Sequence, residues 1–119
     1  NFRIEPMKDY IQNSLEALDD LLSEVTIKDM KTKEQKEILL SVKNIRNIVD
    51  AAHDKLSMGT LSKVDKEKLR GLIVKSLKSA AGTIGRIKDL VDTTDATDMI
   101  QGALSVTVKN QSDALKAFK

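Results

Sequence analysis

KEQKEILLSVKNIRNIVDAAHDKLSM, residues 33–58, reads as one helix with a single apolar seam. Ile38, Val42, Ile45, Val49, Ala52 and Leu56 recur at alternating steps of four and three. That spacing keeps side chains on one face of a helix, and a seam this strict suits shallow, coiled-coil-like crossings with neighbouring helices. Thr32 is placed to cap the first turn, and Gly59 to stop the helix after Met58.

The same period extends in both directions. Towards the N-terminus, a helix is expected over about 6–25. Pro6 suits its first turn, where a missing N–H costs nothing, and Met7, Ile11, Leu15, Leu18, Leu22 and Val25 form its stripe. Towards the C-terminus, Leu61 to Val64 reads as a connection and Asp65 as the N-cap of a third helix over about 66–91. Leu69, Ile73, Ser76, Leu77, Ala80, Ile84, Ile87 and Val91 make its inner face. Thr94 is placed to cap a fourth helix over about 95–118, with Met99, Ile100, Ala103, Leu104, Val108, Leu115 and Phe118 as its stripe. Ser105 to Val108 is rich in β-branched residues, which form helix poorly. A lone strand there would have nothing to pair with, so helix is expected throughout. Four helices with short links predict an all-α, antiparallel up-down-up-down four-helix bundle, one domain over residues 1–119. The fourth helix is poorest in apolar residues and is expected to be the loosest.

The bulk numbers agree with that frame. The chain has 119 residues, 40% hydrophobic and 32% charged, so it is globular rather than disordered. Phe2, Tyr10 and Phe118 are its only aromatics, so the core must be aliphatic. It has no Cys, which removes disulfide and thiolate chemistry. No apolar run approaches the roughly 20 residues of a spanning helix. The chain starts at Asn1 rather than Met and carries no signal pattern. The expectation is a soluble domain, cytoplasmic or exported and surface-anchored, as a processed product or an excised piece.

Charge is uneven although the net is only +2. Asn1 to Val25 holds six acids and two bases, while Lys63 to Lys88 holds eight bases and two acids. Such blocks either pair with each other, as helices lying side by side, or steer a partner. Lys68, Lys75, Lys78 and Arg86 fall within an arc of about 80° on the third helix, and Gly71 and Gly82 lie inside it. An exposed mid-helix Gly costs about 1 kcal/mol against Ala. A partner approaching the backbone closely would give that cost a purpose.

Chemistry of other kinds has little to stand on. His53 is the only His, with Asp50 and Asp54 beside it; without further His or Cys these make at most a weak surface site. Asp89, Asp92, Asp95 and Asp98 lack the order of a calcium loop. No nucleophile–base pair or phosphate loop is present, so no enzyme activity, metal or cofactor is expected. Nucleic acid is disfavoured because no stacking aromatic accompanies the basic block.

The segment Lys75-Ser76-Leu77-Lys78-Ser79-Ala80-Ala81-Gly82-Thr83-Ile84-Gly85 resembles the active helix of histidine phosphotransfer domains, H-x-L-K-G-x-A-x-x-[LI]-G. Leu77, Lys78, Ala81, Ile84 and Gly85 match, and the resemblance implies a four-helix bundle in which Lys78 is the exposed phosphoryl-holding lysine. Lys75 stands where the phosphorylated His would be, and Ser79 replaces the small Gly. A lysine that stays protonated near pH 7 does not replace an imidazole nucleophile. The resemblance therefore implies a docking module unable to carry phosphate.

The reading from sequence is a non-enzymatic protein–protein docking module. Its contact face would be Lys68, Gly71, Lys75, Lys78, Gly82 and Arg86, and its partner another protein or a second copy in a homodimer. The alternatives are a phosphotransfer-like bundle lacking its His, or a weak nucleic-acid binder using the same face. Glu16, Asp19, Asp20 and Glu24 make the opposing acidic surface.

Overall fold

The computed structural model describes residues 2–118, so residues 1 and 119 of the expected domain lie outside the described residues. The order is α1 (Ile4–Glu24), a single 3-10 turn (Ile27–Asp29), α2 (Lys33–Ser57), α3 (Lys63–Lys88) and α4 (Asp95–Lys116). Each helix packs on its neighbours in sequence, and α4 closes the ring against α1. α2 and α4 meet across the core, whereas α1 and α3 occupy opposite corners with little or no contact between them. This is the expected up-down-up-down bundle, 45 Å long.

The helix ends show why these residues stop and start where they do. Gln35 N–H donates to Thr32 Oγ1 at 3.1 Å, and Gln35 Oε1 accepts from the backbone N–H groups of Lys31 (2.8 Å) and Thr32 (3.2 Å). This reciprocal cap satisfies donors that α2 cannot bond internally. The same buried side chain donates from Nε2 to the Asp92 carbonyl at 2.9 Å, tying the start of α2 to the α3–α4 turn. Thr94 and Thr97 cap α4 in the same reciprocal way. At the other end, Phe2 and Phe118 pack with ring centroids 5.1 Å apart, and Arg3 N–H donates to the Ala117 carbonyl.

Three expectations at helix ends are corrected. α3 begins at Lys63, not Lys66, because Ser62 caps it: Ser62 Oγ accepts from Asp65 N–H at 3.1 Å. Asp65 is a first-turn acid, not the cap, and Lys63 and Val64 are helical rather than connecting. α3 ends at Lys88, so Val91 falls beyond it, 96% exposed and not on the inner face. α4 runs without a break through Ser105–Val108 and ends at Lys116. The hydroxyls of Ser105 and Thr107 donate back to the carbonyls of Gln101 and Ala103, four residues earlier, which lets them stay within the helix.

The core is aliphatic, as composition requires: Met7, Ile11, Leu18, Ile38, Val42, Ile45, Leu69, Ile73, Ile87, Ile100 and Leu104 are buried. Each such side chain contributes about 1.5–3 kcal/mol relative to exposure. One polar layer interrupts it. Gln111 of α4 donates from Nε2 to Ser14 Oγ of α1 at 2.8 Å and accepts at Oε1 from Ser76 Oγ of α3 at 2.7 Å. All three side chains are fully buried. Ser14 donates onward to the Tyr10 carbonyl at 3.1 Å. α4 is thus held on two sides, where its composition predicts the loosest element.

Ser76→Ala is expected to cost about 1–3 kcal/mol, because it leaves Gln111 Oε1 buried without a donor. Gln111→Leu is expected to cost less, since Ser76 and Ser14 keep the carbonyls of Ile73 and Tyr10 as acceptors. Urea denaturation followed by circular dichroism ranks the two variants; the opposite order would contradict this account of the layer.

Candidate functional site

The six residues of the expected contact face are all exposed on α3. They form its outer flank on the side of α2. Gly82 and Arg86, with Ser79 and Thr83, line one wall of a shallow groove of about 270 Å³, and Ser41, Asn44 and Ile45 of α2 line the other. Arg86 Nη2 donates to Ser41 Oγ across it at 3.2 Å. A second depression of about 320 Å³ continues from Arg86 past Glu34, Glu37 and Asp89. Most of its lining is small or polar, from Ser41, Asn44, Ser79, Gly82 and Thr83, with Ile45 and Arg86 beside them.

A Cβ built on Gly71, Gly82 or Gly85 meets nothing within 4 Å, and none of the three has a positive φ. Neither packing nor backbone conformation within the chain requires glycine there. Residues 75–85 lie in uninterrupted helix, with Lys75 and Lys78 pointing to solvent. Lys75 therefore occupies the exposed position that the phosphotransfer resemblance gives to the nucleophile. His53 does not substitute for it. It lies on the far side of α2, in a groove with Glu5, Lys8, Asp9 and Gln12 of α1. There Asp50, His53 and Asp54 bring potential ligand atoms within 4.8 Å of one another, but Arg46 Nη1 also reaches Asp50 at 3.6 Å.

The electrostatics follow from the corner positions. α3 carries eight cations (Lys63, Lys66, Lys68, Arg70, Lys75, Lys78, Arg86 and Lys88) against Asp65 and Glu67, a net +6. α1 carries six carboxylates (Glu5, Asp9, Glu16, Asp19, Asp20 and Glu24) against Lys8, a net −5. α2 and α4 are close to neutral, at five cations to four acids and two cations to three acids. The expectation that the acidic and basic helices lie side by side is therefore not met: they sit on opposite corners. Among the described residues no cation of α3 makes a salt bridge, and on α1 only Asp19 does, with Arg46 Nε at 2.9 Å. That hydrogen bond holds the Arg46 guanidinium above its ordinary pKa.

The start of the basic helix is fixed from α2. Asp65 accepts from Ser62 Oγ at 3.0 Å and from Lys55 Nζ at 3.2 Å, which places the first turn of α3 against the end of α2. The Ser62 hydrogen bond, and then the Lys55 bond, hold the Asp65 carboxyl below its usual value. Sequence reasoning gave Asp65 the capping role and missed Lys55, ten residues earlier and across a turn. It also missed Gln35 and Gln111, whose only signal is a polar residue at a core position of a helix.

Among the described residues no helix is long and apolar enough to cross a membrane. Comparison with family models, with curated proteins and with solved structures finds no match to this chain.

A group whose folded pKa is lowered lends stability above its unfolded pKa and loses it as pH falls through the folded value. Wild type should therefore melt above Asp65→Asn at pH 7. The gap should close as pH drops from about 4, the ordinary carboxylate range, toward 2. Thermal melts of both proteins between pH 7 and pH 2 measure it; a gap that stays constant would exclude the Asp65 carboxylate as the cause.

Proposed function

We propose that this chain is a non-enzymatic docking module that offers the α2-side flank of α3 to an acidic surface of another protein. One observation carries the reading: a helix with a net charge of +6 has none of its cations in a salt bridge among the described residues, and Gly71 and Gly82 lie open on the flank of Lys68, Lys75, Lys78 and Arg86. Exposed cations that no carboxylate neutralises attract an acidic surface over a Debye length of about 8 Å at physiological salt. Gly71 and Gly82 lower the flank between Lys68, Lys75, Lys78 and Arg86, so a partner's backbone can approach while its carboxylates reach the cations. Ser41, Asn44 and Ser79 add neutral hydrogen-bonding groups along the groove. α2 and α3 carry no Phe, Tyr or Trp, and His53 lies on the far side of α2, which favours carboxylates over stacked bases as the recognised group.

The test uses a substitution that acts oppositely on fold and contact. Gly82→Leu fills open solvent on an exposed helical position and is expected to raise stability by up to about 1 kcal/mol. The same side chain would stand in the groove. Titration of the isotopically labelled protein with a helical peptide of Glu and Ala should shift amide resonances along Lys68 to Arg86 and around Ser41. Gly82→Leu should weaken that binding at least fivefold while melting no lower than wild type. Equal affinity in the variant, or shifts confined to other helices, would overturn the reading.

A further inference from the structure

We infer that the acidic surface recognised by α3 is α1 of a second copy of this chain, an inference that rests on the docking reading above. Three observations on the two helices point to it. Their charges are opposite and similar in size, −5 against +6, while the other two helices are close to neutral. Their exposed charges are not neutralised within one copy: among the described residues Glu5, Asp9, Glu16, Asp20 and Glu24 form no salt bridge, and neither does any cation of α3. Their lengths agree. At 1.5 Å per residue, Glu5 to Glu24 spans about 28 Å and Lys68 to Arg86 about 27 Å.

Pairing within one copy is not made: α1 and α3 hold opposite corners with the core between them, and among the described residues no salt bridge joins them. Between two copies nothing stands in the way. The outer arc of α1 presents Glu5, Asp9, Glu16 and Asp20 to solvent, and Gly71 and Gly82 leave room between the α3 cations for a facing helix. The corner positions also fix the kind of assembly. When α1 of one copy meets α3 of another, the first copy still has its α3 free and the second its α1. Such a contact is heterologous and continues head to tail, whereas a two-fold contact would close at a dimer. Exposed ion pairs are individually weak and screened by salt, so the assembly forms at high protein concentration and low ionic strength.

Sedimentation velocity on the full chain tests this. At about 20 mM salt, where the Debye length is roughly 20 Å, the average mass should rise with concentration beyond that of two chains. At about 500 mM salt it should return to that of one chain. Lys75→Glu/Lys78→Glu and Glu16→Lys/Asp20→Lys should each stay monomeric, since each has lost one of the two faces. Mixed together they should assemble again, because α1 of the first variant matches α3 of the second and the reversed charges on the other two faces also oppose each other. Gly82→Leu, which changes no charge, should weaken assembly at least fivefold. A wild type that stays monomeric at low salt and high concentration would overturn the inference, as would assembly that survives Glu16→Lys/Asp20→Lys. If such a monomer still binds the Glu–Ala peptide along α3, only the second copy is excluded as the partner. If it does not, the docking reading fails as well.

Discussion

The amide of Gln111 reaches in two directions at once, to Ser14 on α1 and to Ser76 on α3, inside a core that is mostly aliphatic. Aliphatic side chains fill volume but accept many rotations of one helix against another. A hydrogen-bonded layer does not, because an unpaired buried amide or hydroxyl costs more than the bond itself contributes. The layer therefore fixes three helices about their own axes. Ser76 faces inward, next to Lys75 and two residues before Lys78 in sequence, so fixing it fixes the direction in which the basic flank of α3 faces.

That direction is set from several places. Asp65, bonded by Ser62 and Lys55, anchors the first turn of α3 to α2. Gln35 anchors the turn after α3 to the start of α2. Arg86 bonds Ser41 near the C-terminal end of the flank. The groove between α2 and α3 is thus bordered by contacts at both ends. Its walls are set before any partner arrives, which reduces the ordering cost that a flexible surface would carry on binding.

Much of this was legible in the sequence, and the illegible part has a physical pattern. The seam of Ile38, Val42, Ile45, Val49, Ala52 and Leu56 declared α2, and all six are buried. Thr32 and Thr94 were readable as caps because a hydroxyl before an apolar run has few other uses there. Ser62 was not, since Asp65 three residues later offers a competing capping side chain and the two in fact bond to each other. Val91 kept the apolar spacing of α3 although the helix had already ended, because periodicity registers spacing and not the end of a hydrogen-bonded ladder. The exposure of Lys68, Lys75, Lys78 and Arg86 followed from a helical wheel. Their isolation from the acids of α1 did not, because it depends on which helices are neighbours, and a charge count along the chain holds no such information.

The glycines and the charges of α3 bear on one another. Eight cations on a single helix repel each other and weaken the compact state, and among the described residues no ion pair relieves them. Gly71, Gly82 and Gly85 each forgo about 1 kcal/mol of helix propensity at positions where Ala would meet nothing. Either feature alone is an ordinary imperfection of a surface helix. Both fall on one helix, and Gly71 and Gly82 share the flank of Lys68, Lys75, Lys78 and Arg86, which the buried layer, the Asp65 anchor and the Arg86 bond together hold in a single orientation. A facing acidic helix would relieve the repulsion, and the missing side chains are what would let it come near enough to do so.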